Sequence, residues 1–373
     1  MFNRFICILF IMNIKICKFL RYFYITALIL LAMCFLFYTT ACNRDDNPRP
    51  SEFSVIENSD IISQEKPADK QIGDFIPGKG FLVWADEFSG TDLDSEKWNI
   101  ETGTGSQYGL NRWGNNELQY YQAENVSVKN GILIIEAKKQ TVGSSRYTSA
   151  RITTGQIRNG TGSPWIIEKY SVKTGRVEAR IKSSKGRGFW PAFWLLGSNS
   201  YGAIQSRTSV ISRQSWPRCG EIDILEFTGG REHDLVQTLH YGNHWQEGQG
   251  LYSTWMNWVW PHPNYYRLSG SCNYNWADNW HVYGVVWDET GLQFYVDYPD
   301  TGDVIITQTI LWDSLPAQSR DFTDAFYNEA GFSIILNLAV GGSMGGGNPL
   351  DTSFTDGTGN NTLQVDWVRV YQP

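Results

Sequence analysis

Three acidic residues lie within six positions in the segment Gly220–Phe227, which reads GEIDILEF. Glu221 and Asp223 are two positions apart and share one face of a strand, whereas Glu226 would point to the opposite face of a regular strand. One extra, bulged residue at Leu225 or a neighbour would reset this alternation. We therefore expect a β-bulge that brings all three acids to one face.

Two carboxylates on one face can cleave a glycosidic bond, because one can attack the sugar carbon while the other protonates the departing oxygen. With a bulge, Glu221 and Glu226 are effectively four residues apart, which is roughly 13 Å between backbones. Side chains that lean together by roughly 3 to 4 Å each leave about 5 to 7 Å between the carboxylates. This range overlaps the separation of about 5 to 5.5 Å in retaining glycosidases. Asp223 would orient the attacking carboxylate and tune the titration of the pair.

Three other interpretations of the acids stay open. They are solvated residues of an exposed strand, ligands of a calcium ion, or the lining of an inactive sugar-binding groove. The apolar residues between them argue against an exposed strand, and calcium takes 6 to 8 oxygens that usually come from a loop.

The chain after about Phe81 is predicted to be rich in β-strands. Residues 175–182, GRVEARIK, alternate apolar and charged positions as a half-buried strand does, and so do residues 292–297. Residues 131–139 and 332–340 are more continuously apolar, as expected between two packed layers. The pattern predicts a single antiparallel sandwich or jelly roll.

The N-terminus has the pattern of an export signal. Lys15, Lys18 and Arg21 precede an apolar run over residues 25–38, and the segment TTAC that follows resembles a bacterial lipobox. We expect an export signal over residues 1–41, a lipidated Cys42 and a flexible tether over 42–78, followed by a folded domain over 79–373. An uncleaved membrane anchor is the alternative, and Met12 is an alternative start.

These features predict an exported lipoprotein of the outer membrane or cell surface, because the acidic NRDDN after Cys42 resembles surface-export tags. The net charge is -7 and the sequence has no stripe of basic residues, which argues against nucleic acid as a partner. The 16 tryptophans indicate either core filling or a ring-lined cleft. Cys219 and Cys272 are interpreted as free or buried thiols, with their pairing left open.

A set of motifs in the order expected for the family identifies the chain as similar to glycoside hydrolase family 16. Besides GEIDILEF, the motifs VWADEFSG, NNELQYY, YTSARITT, GRVEARIK, GFWPAFWLLG, TLHYG, WHVYGVVWD, LNLAVGG and VDWVRVYQ occur between Phe81 and Tyr371. The resemblance implies an all-β, concanavalin-like jelly roll of two curved antiparallel sheets with a concave catalytic cleft. It implies that Glu221 is the nucleophile of a retaining endo-glycosidase, Glu226 the acid/base and Asp223 the assisting acid.

The resemblance favours β-1,3-linked glucan as the substrate, laminarin-like or mixed-linkage, with an algal galactan as the alternative. A non-catalytic glycan-capture lipoprotein is a third hypothesis. Catalysis would need no cofactor, and we expect a monomer.

The resemblance also implies further site residues. Trp190 and Trp194 would line sugar subsites, and Asn116 and Arg151 would bind substrate. A plain surface charge is the alternative for Arg151. His240 would lie beside the acid/base, and a zinc pair with His244 is disfavoured because the intervening sequence has turn character.

Structural calcium is implied at Glu87, Gly131 and Asp366. The chain departs from the family pattern in two insertions, over residues 198–218 and 242–279, which adjoin the cleft in the family's layout.

Overall fold

The computed structural model describes residues 68–373, except for 77, 199–215, 218, 233, 242–265 (with only the strand assignment for 266–268), 269–275, 297–304, 316–319, 321–322, 328–329, 350–353 and 355–359. All described residues belong to one compact unit, Ile61–Pro373. Within the described part of the chain, no helix is long and apolar enough to cross a membrane. The predicted export signal, the lipidated Cys42, most of the tether, most of both insertions, His244 and Cys272 lie outside the described residues.

Antiparallel strands form two large sheets. The strands are β1 Phe75–Ile76, β2 Gly80–Asp86, β3 Asn99–Glu101, β4 Gln119–Tyr121, β5 Val126–Lys129, β6 Ile132–Glu136, β7 Tyr147–Ser149, β8 Arg151–Thr153, β9 Gly175–Lys182, β10 Phe189–Gly197, β11 Glu221–Phe227, β12 Leu235–His240, β13 Tyr266–Leu268, β14 His281–Trp287, β15 Gly291–Val296, β16 Ile305–Leu311, β17 Phe332–Val340 and β18 Thr362–Gln372. Short 3-10 helices cover Ser106–Tyr108, Asn111–Gly114, Ala123–Asn125, Trp276–Asp278, Trp312–Ser314 and Thr323–Tyr327.

Among the described residues, one sheet has nine strands in the order β1-β2-β18-β9-β14-β15-β16, with β6 joined to β18 and β5 to β6. The other has seven strands in the order β13-β12-β11-β10-β17-β8-β3. Strands β4 and β7 form a separate parallel pair. The predicted all-β sandwich is therefore confirmed.

The core lies between the two sheets. Val177 and Ala179 from the nine-stranded sheet pack in one apolar cluster with Phe193, Ile222 and Leu336 from the seven-stranded sheet. Each fully buried side chain of this type stabilises the fold by about 1.5 to 3 kcal/mol. The alternating apolar residues of the sequence are thus the ones that join the sheets.

The prediction that β9 is only half-buried was wrong. Glu178 and Arg180, on the face away from the core, are also buried. Lys79 donates a hydrogen bond of 2.8 Å to Glu178, and Arg180 donates one of 2.7 Å to Asp366. Glu178 and Arg180 can be buried on this face because each has an opposite charge as its partner.

Strand β11 contains the expected bulge. Phe193 and Trp194 of β10 pair with Leu225 and Asp223, so that Ile224 has no partner on that side. The pairing with β12 shifts between Asp223 and Glu226 as well. Ile224 and Leu225 both pack in the core. The extra residue therefore restores the alternation before Glu226, and we call the side of the sheet opposite the core the acid face.

Deleting Ile224 should preserve the fold, because the shortened segment GEIDLEF alternates regularly and keeps its three acids on one face. The deletion removes one core side chain and should cost about 2 to 5 kcal/mol. Deleting Ile222 instead keeps the bulge but turns Glu221 toward the core, and an unpaired buried carboxylate should prevent folding. Soluble yield and thermal unfolding followed by circular dichroism compare the two variants. Equal behaviour of both deletions would contradict the assigned register.

Candidate active site

The bulge places the three acids along one strand of the acid face. Glu221 pairs with His240 and Glu226 with Val236 on β12, so the partners of the two glutamates are four positions apart. This matches the separation of roughly 13 Å between backbones that a bulged strand provides. Asp223 lies between them, opposite Thr238. The acids therefore form one group above an apolar core.

Glu221 accepts a hydrogen bond from an indole. The Trp216 Nε1 atom donates to Glu221 Oε2 over 3.0 Å. Burial, and to a smaller extent the nearby charge of Asp223, raise the pKa of Glu221 to about 8. His240 and the hydrogen bond from Trp216 act in the opposite direction, because both favour the ionised carboxylate.

Glu226 has an equivalent indole partner. The Trp190 Nε1 atom donates to Glu226 Oε1 over 2.8 Å. Burial raises the pKa of Glu226 to about 8, with a smaller contribution from Asp223, and the Trp190 hydrogen bond opposes this increase. Oε1 therefore acts as an acceptor, which leaves Oε2 as the atom that can carry a proton.

Asp223 couples the two glutamates. Burial raises its pKa well above the ordinary value of an aspartate. Its Oδ2 atom lies 3.2 Å from His240 Nε2, and the same nitrogen lies 3.7 Å from Glu221 Oε1. Like charges this close cannot all ionise in a buried site, so the group retains protons near neutral pH.

His240 lies near the Glu221 end of the acid group. It pairs with Glu221, and its Nε2 atom lies 3.2 Å from Asp223 Oδ2. In β12 it is four residues from the partner of Glu226, yet its charge also lowers the pKa of Glu226. The resemblance implied a histidine beside the acid/base, and this role stays a prediction.

The group does not resemble a calcium site. Ligand atoms of Glu221, Asp223 and His240 lie within 4.8 Å of one another. One of these three atoms is an imidazole nitrogen, whereas calcium takes 6 to 8 oxygens. The trio is better explained as an electrostatically coupled proton-exchange group.

Trp194 lies on the acid face, where it pairs with Asp223. Its Nε1 atom donates a hydrogen bond of 2.7 Å to Asn337 Oδ1. The Asn337 amide donates in turn to the Tyr121 hydroxyl over 3.3 Å, and that hydroxyl donates to Glu117 over 3.1 Å. These hydrogen bonds form a chain of polar groups that fixes the indole plane, and burial raises the pKa of Glu117 at the end of the chain.

Arg151 is buried, which excludes the alternative of a plain surface charge. Its guanidinium lies 4.7 Å from the centre of the Trp113 ring and 4.8 Å from that of the Trp194 ring. Its Nε atom donates to the Glu101 carboxylate. Arg151 therefore packs against one face of the Trp194 ring. Substrate binding by Arg151 stays a prediction.

Asn116 is an exposed residue in the left-handed region, with φ of 60°. Its carbonyl accepts a hydrogen bond of 2.7 Å from Arg112, which stabilises this turn. Substrate binding by the Asn116 side chain also stays a prediction.

The residues implied for calcium form ion pairs. Arg369 donates to both carboxylate oxygens of Glu87, over 2.7 and 3.0 Å, and Asp366 pairs with Arg180. Gly131 lies in the turn between β5 and β6, with φ of 74°. Carboxylates that face guanidinium groups do not fit a calcium ion in this arrangement. Calcium binding here stays a prediction that requires these ion pairs to open.

Two residues of the site received no role in the sequence analysis. Trp216 donates a hydrogen bond to Glu221. The sequence feature that could have indicated this contact is a tryptophan five positions before an acid on a predicted strand. Asn337 holds Trp194, and its signal was a single amide within the apolar segment FSIILNLAV. Cys219, next to this site, is a free and buried thiol.

Comparison with known proteins agrees with this fold. A family model described as "Beta-porphyranase A-D, GH16 domain" matches residues 83–373. Glucan endo-1,3-beta-glucosidase A1 of Niallia circulans is 33% identical over 341 residues, which cover 87% of this chain and 41% of that protein. Glucan endo-1,3-beta-glucosidase of Cryptopygus antarcticus is 32% identical, covering 79% of this chain and 93% of that protein.

The X-ray structure of endo-beta-1,3-glucanase from Pyrococcus furiosus is similar with a TM-score of 0.57 and 33% identity, covering 81% of this chain and 98% of that one. An antiparallel jelly roll that carries paired carboxylates on one strand is the architecture of a glycoside hydrolase. The chain belongs to glycoside hydrolase family 16.

Replacing either indole donor should shift one limb of the pH profile upward. A hydrogen bond to a carboxylate favours its ionised form, so its loss raises the pKa of that carboxylate. Trp216→Phe should move the acid limb of kcat/KM to higher pH, and Trp190→Phe should move the alkaline limb to higher pH. Each change should also lower kcat/KM roughly tenfold.

The pH dependence of kcat/KM on a hydrolysed β-glucan measures both limbs. Each variant serves as the control for the other, because each should move one limb alone. A shift of the same limb in both variants would contradict the separate assignment of the two donors.

Proposed function

We propose that the protein is a retaining endo-glycosidase that hydrolyses β-1,3-linked glucans of the laminarin or mixed-linkage type. The observation that carries this proposal is the bulge in β11, because it puts Glu221, Asp223 and Glu226 on one face with a separate indole donor for each glutamate. The names of the relatives, two of them glucan endo-1,3-beta-glucosidases, support this substrate class.

In the first step, an oxygen of ionised Glu221 attacks the anomeric carbon and forms a glycosyl ester. The bond from that carbon to the glycosidic oxygen breaks, and the Oε2 proton of Glu226 passes to the leaving oxygen. His240 and Trp216 favour the charged form of Glu221 before attack. The fixed Oε1 of Glu226 directs its proton to one side.

In the second step, Glu226 is a carboxylate and takes a proton from water. The water oxygen attacks the anomeric carbon, the ester bond breaks, and Glu221 leaves with its electron pair. Formation of the ester removes the charge of Glu221, which lowers the pKa of Glu226 and suits it to act as a base. Each of the two steps inverts the configuration of the anomeric carbon, so the product keeps the configuration of the substrate.

A red-algal galactan is the second candidate substrate. The description of the matching family model, a beta-porphyranase, favours it. Glucose and galactose units differ in the orientation of one hydroxyl, and the acids address the anomeric centre that both share. The choice between them therefore depends on residues around the acids.

Glu221→Gln should lower turnover of the natural polysaccharide by at least about 10⁴-fold, because an amide cannot form the glycosyl ester. Glu124→Gln, which alters an exposed carboxylate outside the acid face, is the matched control and should keep full activity. Product analysis on laminarin, lichenan, agarose and porphyran identifies the substrate. Near wild-type turnover by Glu221→Gln would refute the mechanism.

Cleavage of agarose or porphyran alone would replace the glucan with the galactan. Binding without hydrolysis of any polysaccharide in the set would support a glycan-capture protein instead.

We also propose that the protein is an exported lipoprotein tethered through Cys42, which the lipobox-like segment TTAC supports. Residues 43–78 would let the catalytic domain reach polysaccharide away from the membrane. A monomer suffices, because every residue in the two steps comes from one chain.

Cys42→Ala should move the protein from the membrane fraction to the soluble fraction, because lipid attachment needs the thiol. Cell fractionation followed by immunoblotting measures this change, with Cys34→Ala as the control that should stay in the membrane. Retention of Cys42→Ala in the membrane fraction would favour the uncleaved anchor.

A further inference from the structure

A polar side chain lies in the apolar core directly beneath the bulge. Gln237 of β12 is fully buried, and its strand neighbours Leu235 and Leu239 both belong to the core cluster. Its side chain therefore points away from the acid face. A buried amide without hydrogen bonds costs free energy, so its position in the core needs an explanation.

The amide serves the bulge. Gln237 Nε2 donates a hydrogen bond of 2.9 Å to the carbonyl oxygen of Ile224. Ile224 is the residue without a partner on β10, so its carbonyl belongs to the part of the strand where the ladder is interrupted. The side chain thus supplies a donor where the neighbouring backbones shift register.

Thr307 fixes the orientation of this amide from the other sheet. The Thr307 hydroxyl, on β16, donates to Gln237 Oε1. A carbonyl oxygen only accepts hydrogen bonds, so the nitrogen of the amide must face Ile224 and its oxygen must face Thr307. Both hydrogen bonds are satisfied by one orientation of the amide, which ties the bulge to the nine-stranded sheet.

We infer that Gln237 is a positioning residue, which holds the bulge in the conformation that aims the acid/base Glu226 at the leaving oxygen. It touches no substrate and acts through the Ile224 carbonyl. The bulge lies between Asp223 and Glu226, so its relaxation would move Glu226 relative to Glu221. This inference rests on the proposed retaining mechanism.

The test replaces Gln237 with methionine, which keeps the length of the side chain and removes the donor. A displaced acid/base impairs substrates that need protonation of the leaving group and spares those that do not. We expect Gln237→Met to lower kcat/KM about 100-fold for the 4-methylumbelliferyl glycoside of a laminari-oligosaccharide. The loss should be about fivefold or less for the 2,4-dinitrophenyl glycoside, whose phenol departs without a proton.

Two further variants separate positioning from general stability. Leu239→Ala removes a core side chain of the same strand and leaves the Ile224 bond intact; it should lower Tm without changing the ratio between the two substrates. Thr307→Val frees the Gln237 oxygen but keeps the nitrogen donor, and it should cause an intermediate loss with the same dependence on the leaving group.

Equal losses of Gln237→Met on both glycosides, or activity equal to wild type on both, would overturn the inference. So would a change of the substrate ratio in Leu239→Ala that matches the one in Gln237→Met. Failure of the wild-type protein to hydrolyse either glycoside or laminarin would instead reject the proposed function, so the two failures are distinguishable.

Discussion

The two faces of strand β11 have different requirements, and the rest of the site depends on how one strand meets both. Its core side needs apolar residues that fill the space between the sheets, and its other side needs two glutamates about four residues apart. One extra residue meets both demands, because Ile224 and Leu225 both enter the core while Glu226 stays on the acid face. The irregularity is therefore part of the function of the strand and not a defect in its pairing.

The electrostatics of the acids follow from the same arrangement. Burial disfavours charge on all three, and each additional charge raises the pKa of its neighbours. Indole N–H groups of Trp190 and Trp216 favour ionisation without adding a full positive charge. The site can thus hold a carboxylate and a carboxylic acid side by side near neutral pH, which glycosidic cleavage requires.

Sequence reasoning predicted the sandwich, several of its strands and the bulge, because these follow from alternation and from the spacing of three acids. It could not predict which side chains hold those acids. Trp216 lies in the turn before β11, where alternation gives no direction for its side chain, and only strand register brings Asn337 to Trp194. The contacts of His240 depend on register in the same way, since a shift along β12 would exchange one glutamate for the other. Buried charges on β9 escaped prediction because alternation cannot reveal their partners.

The hydrogen bond from Trp194 to Asn337 restricts what this tryptophan can recognise. Its only polar atom is already committed, and Arg151 lies against one side of the ring. A pyranose stacked on the remaining side would meet carbon and hydrogen alone. Such a surface accepts a sugar face whose C–H groups point toward the ring and disfavours a face that carries an axial hydroxyl, because that hydroxyl would lose water without gaining a partner. The ring therefore sorts sugars by the face on which an axial hydroxyl lies, while recognition of equatorial hydroxyls must come from polar groups elsewhere around the acids.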